Sequence, residues 1–135
     1  MAIDVRGMTP LLEVFDMPTS LRFYRDVLGF EVVGQSSERD NCDWCLLQLQ
    51  EVYLMLNTAY EQDERPPSAD PSRVSAHRDT GLFFRCPDVD AAYTHLHDQG
   101  VDLKPPKDAP YGMRQLYLND PDGYVLCFQR PVEDE

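Results

Sequence analysis

The side chains able to do chemistry in this chain are few and scattered. Cysteines stand at Cys42, Cys45, Cys86 and Cys127, and histidines at His77, His95 and His97. Cys42-Asp-Trp-Cys45 has the spacing of half a zinc knuckle or of a redox pair. No second close pair follows, and Cys86 and Cys127 each sit inside a strand-like run, so free structural thiols are the expected state. His95 and His97 lie two apart on a helical pattern and point in different directions. His77 falls in a polar, proline-rich stretch and reads as a solvated side chain. A recognition surface is suggested instead by the stretch 112–128. Two short runs, Met113 to Leu118 and Tyr124 to Phe128, flank an Asn119-Asp-Pro-Asp-Gly123 corner, which spells a β-hairpin. With period two, Leu116, Leu118, Leu126 and Phe128 fall on one face, and Gln115, Tyr117, Asn119, Val125, Cys127 and Gln129 on the other. The first face is core. The second is either the wet side of a half-buried sheet or a surface that touches a ligand.

Composition bounds what such a surface could meet. The chain has 135 residues, 42% of them hydrophobic, enough for a core of ordinary single-domain size. Twenty-four acidic against 12 basic residues give a net charge of -12, and the pI is near 4.5. That field repels phosphate backbones and anionic lipid, so neither nucleic acid nor membrane is an expected partner. It attracts cations, although the same balance is common among soluble proteins. No apolar run approaches the roughly 18 to 20 residues that span a bilayer, and Met1 to Gly7 lacks the basic-then-apolar pattern of a leader. A cytoplasmic location is the expectation.

The elements that must position these residues follow in order. Thr9 to Phe15 reads as an edge strand, with Pro10 near its start. Asp16 caps a helix over Thr19 to Leu28, with Leu21, Tyr24, Val27 and Leu28 on one stripe and Gly29 as its left-handed stop. Phe30 to Gly34 is a strand, Ser36 to Asp43 a polar loop, and Trp44 to Leu49 with Val52 to Asn57 a second hairpin. Ala59 to Thr80 holds three prolines, many charges and no apolar period; it reads as a long connection, a solvated tether or a lid. Gly81 to Cys86 is a strand, and Asp88 opens a helix over Val89 to Gln99 that Gly100 ends. Leu28-Gly-Phe-Glu-Val32 is echoed by Gln99-Gly-Val-Asp-Leu103, so a short apolar strand is expected after each helix. The chain is thus two βαβββ units, an α+β arrangement.

Phe15-Asp-Met-Pro-Thr-Ser-Leu-Arg-Phe-Tyr-Arg-Asp-Val-Leu-Gly-Phe30, Cys86-Pro-Asp-Val-Asp-Ala-Ala-Tyr93 and Tyr117-Leu-Asn-Asp-Pro-Asp-Gly123 together resemble the vicinal oxygen chelate superfamily. It includes glyoxalase I, extradiol dioxygenases, fosfomycin-resistance transferases and bleomycin-resistance proteins. The resemblance implies one domain over 1–135, with a first module at about 8–58, a connecting loop at 59–80 and a second module at about 81–131. It also implies that two curled mixed sheets enclose a cleft, and that the chain forms a homodimer. Metal-dependent members hold a divalent ion on His and Glu side chains from four strands. The matching positions here are Thr9, Met55, Gly81 and Cys127, a poor set of donors for such an ion. No metal or other cofactor is therefore expected.

Carried onto the alternating faces, the resemblance proposes a lining of Leu11, Glu13, Tyr53, Met55, Asn57, Phe83, Arg85, Gln115, Tyr117, Cys127 and Gln129, with Trp44 and Tyr111 as aromatic walls at loop edges. Such a lining is apolar with separated polar groups, as small-molecule sites are, although aromatic and Met side chains also fill collapsed clefts. Two functions stay open. One, nearest the bleomycin-resistance branch, is metal-free binding and sequestration of a small organic, cationic ligand. The other is a lyase, isomerase or dioxygenase of the glyoxalase type acting on a small carbonyl or aromatic substrate, with Glu13 as base and Tyr117 and Gln115 as donors.

Overall fold

A computed structural model describes residues 1–61 and 64–133. The chain divides into two compact units, Met1–Pro67 and Ser68–Glu135. In the first, β1 (Leu11–Val14) leads into α1 (Met17–Leu21), continues as a π-helical turn (Arg22–Val27), and returns through β2 (Glu31–Gln35), β3 (Trp44–Leu49) and β4 (Val52–Thr58). The strands lie in the order β1-β4-β3-β2, with β1 parallel to β4 and the rest antiparallel. In the second, α2 (Pro71–Ala76) and a 3-10 turn (His77–Asp79) precede β5 (Gly81–Arg85), α3 (Val89–Asp98), β6 (Lys107–Asp108), β7 (Met113–Asn119) and β8 (Val125–Pro131). Their order, β5-β8-β7-β6, repeats the first. The fold is α+β, with two βαβββ modules built on mixed four-stranded sheets.

Capping fixes where each long helix begins and ends. Asp16 accepts a bond from Thr19 N at 3.1 Å and Asp88 one from Ala91 N at 2.9 Å, satisfying amides that open a helix. Gly29 (φ 97°) and Gly100 (φ 83°) close them in the left-handed conformation that glycine adopts without penalty. Leu12, Val14, Leu54 and Leu56 bury one sheet face with Met17, Leu21 and Tyr24, and Leu116, Leu118 and Leu126 do the same with Val89 and Leu96. Among the described residues no helix is long and apolar enough to cross a membrane.

Three expectations need correction. The first helix is not one α-helix over Thr19 to Leu28. It widens at Arg22, with Leu28 N bonding Phe23 O at 3.0 Å, and the extra residue in that turn leaves Val27 and Leu28 half-buried while Phe30 is buried. Phe23, Tyr24 and Phe30 pack edge to face, with centroids 5.0 and 5.9 Å apart. The short strand expected at Val101 to Leu103 does not form. Pairing starts only at Lys107, because Pro105 and Pro106 have no amide to donate.

The third correction concerns the connection Ala59 to Thr80, which is not simply a solvated tether. Asp70 caps α2 through Ser72 N at 3.0 Å, with Pro71 in its first turn. The helix then docks on the β7–β8 turn: Arg73 pairs with Asp122 at 2.9 Å, with side-chain exposures of 17% and 3%. His77, expected to be solvated, has Nδ1 2.7 Å from Asp122 O and stacks on Tyr124 at 4.0 Å. That turn is itself pinned by buried Asp120, whose carboxylate accepts from Asp122 N and Tyr124 N at 2.9 Å each.

Candidate functional site

Each module turns one sheet face away from its helix, and on those faces lie the residues proposed from sequence. In the first module the register aligns Leu11, Met55, Leu46 and Gly34 in one row across the strands, and Glu13, Asn57 and Trp44 in the next. Asn57 Nδ2 donates to Glu13 Oε1 at 3.5 Å. Trp44 opens β3 at the edge of the preceding loop, half-buried, its ring over Gly34, where an added Cβ would sit 3.7 Å from it. Leu46 was missed, although the alternation from Trp44 to Gln48 marks it. Tyr53 is set apart: it opposes Gln48 beyond the end of β1, and 42% of it is exposed. A hollow of about 310 Å³ elsewhere in this module, against Phe15, Tyr60 and Arg65, holds none of the proposed residues.

The second module gathers its set more tightly. Lys107, Gln115, Gln129 and Arg85 form one row, and Tyr117, Cys127 and Phe83 the next. Tyr111 O–H donates to Gln115 Oε1 at 2.9 Å, and Gln115 Nε2 donates to Gln129 Oε1 at 2.9 Å. Phe83 meets Tyr117 edge to face with centroids 6.2 Å apart. Three aromatic side chains on this face are open: Phe83 is 56% exposed, Tyr111 68% and Tyr117 43%. Beside them a hollow of about 430 Å³ runs along β7, bounded by Leu103, Lys104, Lys107, Gln115, Tyr117 and Asn119. That volume lies in the range of small-molecule sites. Lys104 and Lys107 escape the sequence pattern, because Val101 to Leu103 spells a strand that does not form and pairing begins only at Lys107.

Electrostatics leave this face rich in donors and poor in bases. Burial, the neighbouring Cys127 thiol and hydrogen bonds to Tyr111 and Cys127 push the Tyr117 phenol up to about 12. Burial raises the Cys127 thiol as well, against a hydrogen bond from Tyr117 that lowers it. Both groups stay protonated near neutral pH.

The positions matching a chelate metal site do not fit a divalent ion. Thr9 precedes β1, Gly81 has no side chain, Met55 is a thioether, and Cys127 is a buried, protonated thiol. Among the described residues no group of three or more His, Cys, Asp or Glu is placed to hold a metal. Cys42, Cys45, Cys86 and Cys127 are free thiols, and burial pushes Cys45 up to about 12.

Two βαβββ modules in one chain, each a helix on a mixed four-stranded sheet, define a fold class, and a fold class hosts many chemistries. Residues 9–128 match the Glyoxalase/Bleomycin resistance protein/Dioxygenase superfamily, and the chain belongs to it. Among solved structures, TioX from Micromonospora sp. ML1 is similar in fold, with 19% identity over 94% of this chain and 99% of that one and a TM-score of 0.73. A glyoxalase/bleomycin resistance protein/dioxygenase from Nocardioides is similar at 22% identity over 99% and 89%, TM-score 0.71. TnmS3, an antibiotic-binding protein from Streptomyces sp. CB03234, is similar at 26% identity over 97% and 98%, TM-score 0.67. No curated protein matches the chain.

Proposed function

We propose that this protein binds a small aromatic organic ligand on the open faces of its sheets, without a metal and without chemical change. The observation that carries the reading is the cluster of Phe83, Tyr111 and Tyr117, left open to solvent around a hydrogen-bonded Gln115–Gln129 pair. Exposed rings beside ordered amides suit stacking with polar selection. The likeness to TnmS3, which binds an antibiotic, supports the same reading. On the first module, Trp44 and Glu13 in one row suit a cationic group, as does the net charge of -12. A glyoxalase-type enzyme with Glu13 as base finds less support, because Thr9, Met55, Gly81 and Cys127 are poor donors for the divalent ion that would stabilise an enolate.

The test is a thermal-shift screen with bleomycin-type glycopeptides, other aromatic drugs, hemithioacetals and divalent metals as separate arms. A ligand at 100 times its Kd adds about 2.7 kcal/mol, several degrees for a domain of this size. A drug that shifts the midpoint in wild type and at least tenfold less tightly in Tyr117→Ala supports the reading. A shift with divalent metal, or turnover of a hemithioacetal, overturns it.

A further inference from the structure

We infer that the open face of the second module selects a planar aromatic ligand carrying an anionic oxygen, a carboxylate or an ionised phenol, with its ring on Phe83 and Tyr117 and its oxygen on Arg85 and Gln129. This rests on the ligand-binding reading and narrows it. The chain as a whole carries twice as many acidic as basic residues, yet the outward positions of β5, β7 and β8 hold no acidic side chain, and the row across them ends in Lys107 on one side and Arg85 on the other. Arg25, Arg65, Arg73 and Arg114 each pair with aspartate. Arg85 is exposed and, among the described residues, makes no ion pair.

The hydrogen-bond direction points the same way. Gln115 Nε2 donates to Gln129 Oε1, so Gln129 keeps its own amide hydrogens as donors in the register position beside Arg85. A guanidinium and an amide side by side form a fork suited to a carboxylate or phenolate oxygen. Phe83 and Arg85 lie two residues apart on one strand, about 6.6 Å, the reach from the middle of a fused two- or three-ring system to a carboxylate on its edge. The opposite end is less selective, because Asp102 borders the hollow together with Lys104 and Lys107.

Fluorescence titration of the whole protein with anthracene-2-carboxylate, anthracene-2-carboxamide and anthracen-2-ylmethylammonium tests the assignment. The carboxylate is expected to bind at least tenfold tighter than the ammonium. Arg85→Gln should lower carboxylate affinity about tenfold while leaving the carboxamide within twofold, and Tyr117→Ala should weaken all three. Equal or tighter binding of the ammonium, or an Arg85→Gln protein that still prefers the carboxylate, overturns the anionic selection and leaves the aromatic seat standing. If none of the three binds wild type, or Tyr117→Ala binds all three unchanged, the seat itself is wrong and the selection falls with it.

Discussion

Strand for strand, β1–β4 and β5–β8 are laid out alike, but the turns that close their last hairpins are built in opposite ways. The β3–β4 turn is two exposed residues, Gln50 and Glu51, with Gln50 held at φ 48° and its carbonyl accepting from Gln48 Nε2 at 3.0 Å. The β7–β8 turn is buried at Asp120, Asp122 and Gly123 and carries α2 on its back. One topology thus tolerates a turn that serves only to reverse the chain and a turn that serves as a dock. The difference lies in a few residues. Asp122 offers both a carboxylate to Arg73 and a carbonyl to His77, and Gly123 leaves room for the Val74 backbone to approach.

The sharpest way to break this comparison is Gly123→Ala. Its φ of 88° already disfavours a side chain, and the added Cβ would overlap the Val74 carbonyl and lie 2.9 Å from Val74 Cγ1. Backbone strain and the displaced helix together should cost about 2–4 kcal/mol in urea unfolding. Gly100→Ala, at φ 83° with nothing within 4 Å, carries the strain alone and should cost about 1 kcal/mol. Gln50→Gly in the first module should change stability by less than about 1 kcal/mol and in the favourable direction. Equal losses at Gly123 and Gly100 would mean that α2 is not held against the turn.

His77→Ala asks how much the dock owes to its ring. Removing a stacked ring and one hydrogen bond should cost about 1–2 kcal/mol, with amide exchange accelerated in α2 and ligand affinity unchanged. A variant that loses protection throughout β7 and β8 instead would make His77 part of the module core.

How much of this was legible follows from which signals are local. Asp16, Gly29, Asp88 and Gly100 announce their helices because capping depends on one residue type at one place. Alternation placed Gln115, Tyr117 and Cys127 on one face, and the register puts each beside a residue of the proposed set. The dock was hidden because α2 has no apolar stripe; Val74 is its one half-buried large apolar residue, and its partners Asp122 and Tyr124 lie some 50 positions away. Asp70-Pro71 was the readable clue, a cap followed by the proline that favours a first turn. Lys107 was hidden by its own neighbours, two prolines that delay the strand.

The faces differ as the turns do, and binding measurements sharpen that contrast. Tyr117→Ala should weaken an aromatic ligand at least tenfold while costing less than about 1 kcal/mol of stability, because the ring is half open. Trp44→Ala removes a half-buried ring packed over Gly34. For an anionic aromatic ligand it should reverse that order, losing about 1–3 kcal/mol of stability with little change in affinity. A ligand lost equally from both variants would assign it to both faces rather than to the second.

A small, pH-dependent effect compares one buried thiol in each module. Cys45 is fully buried and pushed from an ordinary 9.0 up to about 12 by that burial, with its thiol 3.9 Å from Met17 Sδ. Cys127 is raised too, but its hydrogen bond from Tyr117 acts the other way. An unfolded thiol gives up its proton near 9 while the folded one keeps it. Stability is therefore complete below pH 9 and falls as pH rises from 9 toward 12. By pH 10 the Cys45 contribution should amount to about 1 kcal/mol, read as a lower urea midpoint under reducing conditions. Cys45→Ala should flatten that decline and Cys127→Ala should flatten it less, because the Tyr117 hydrogen bond has already offset part of the rise. Parallel curves for wild type and Cys45→Ala would mean that the alkaline loss comes from other groups, with the Tyr117 phenol, raised from 10 to about 12 in the second module, the next to replace.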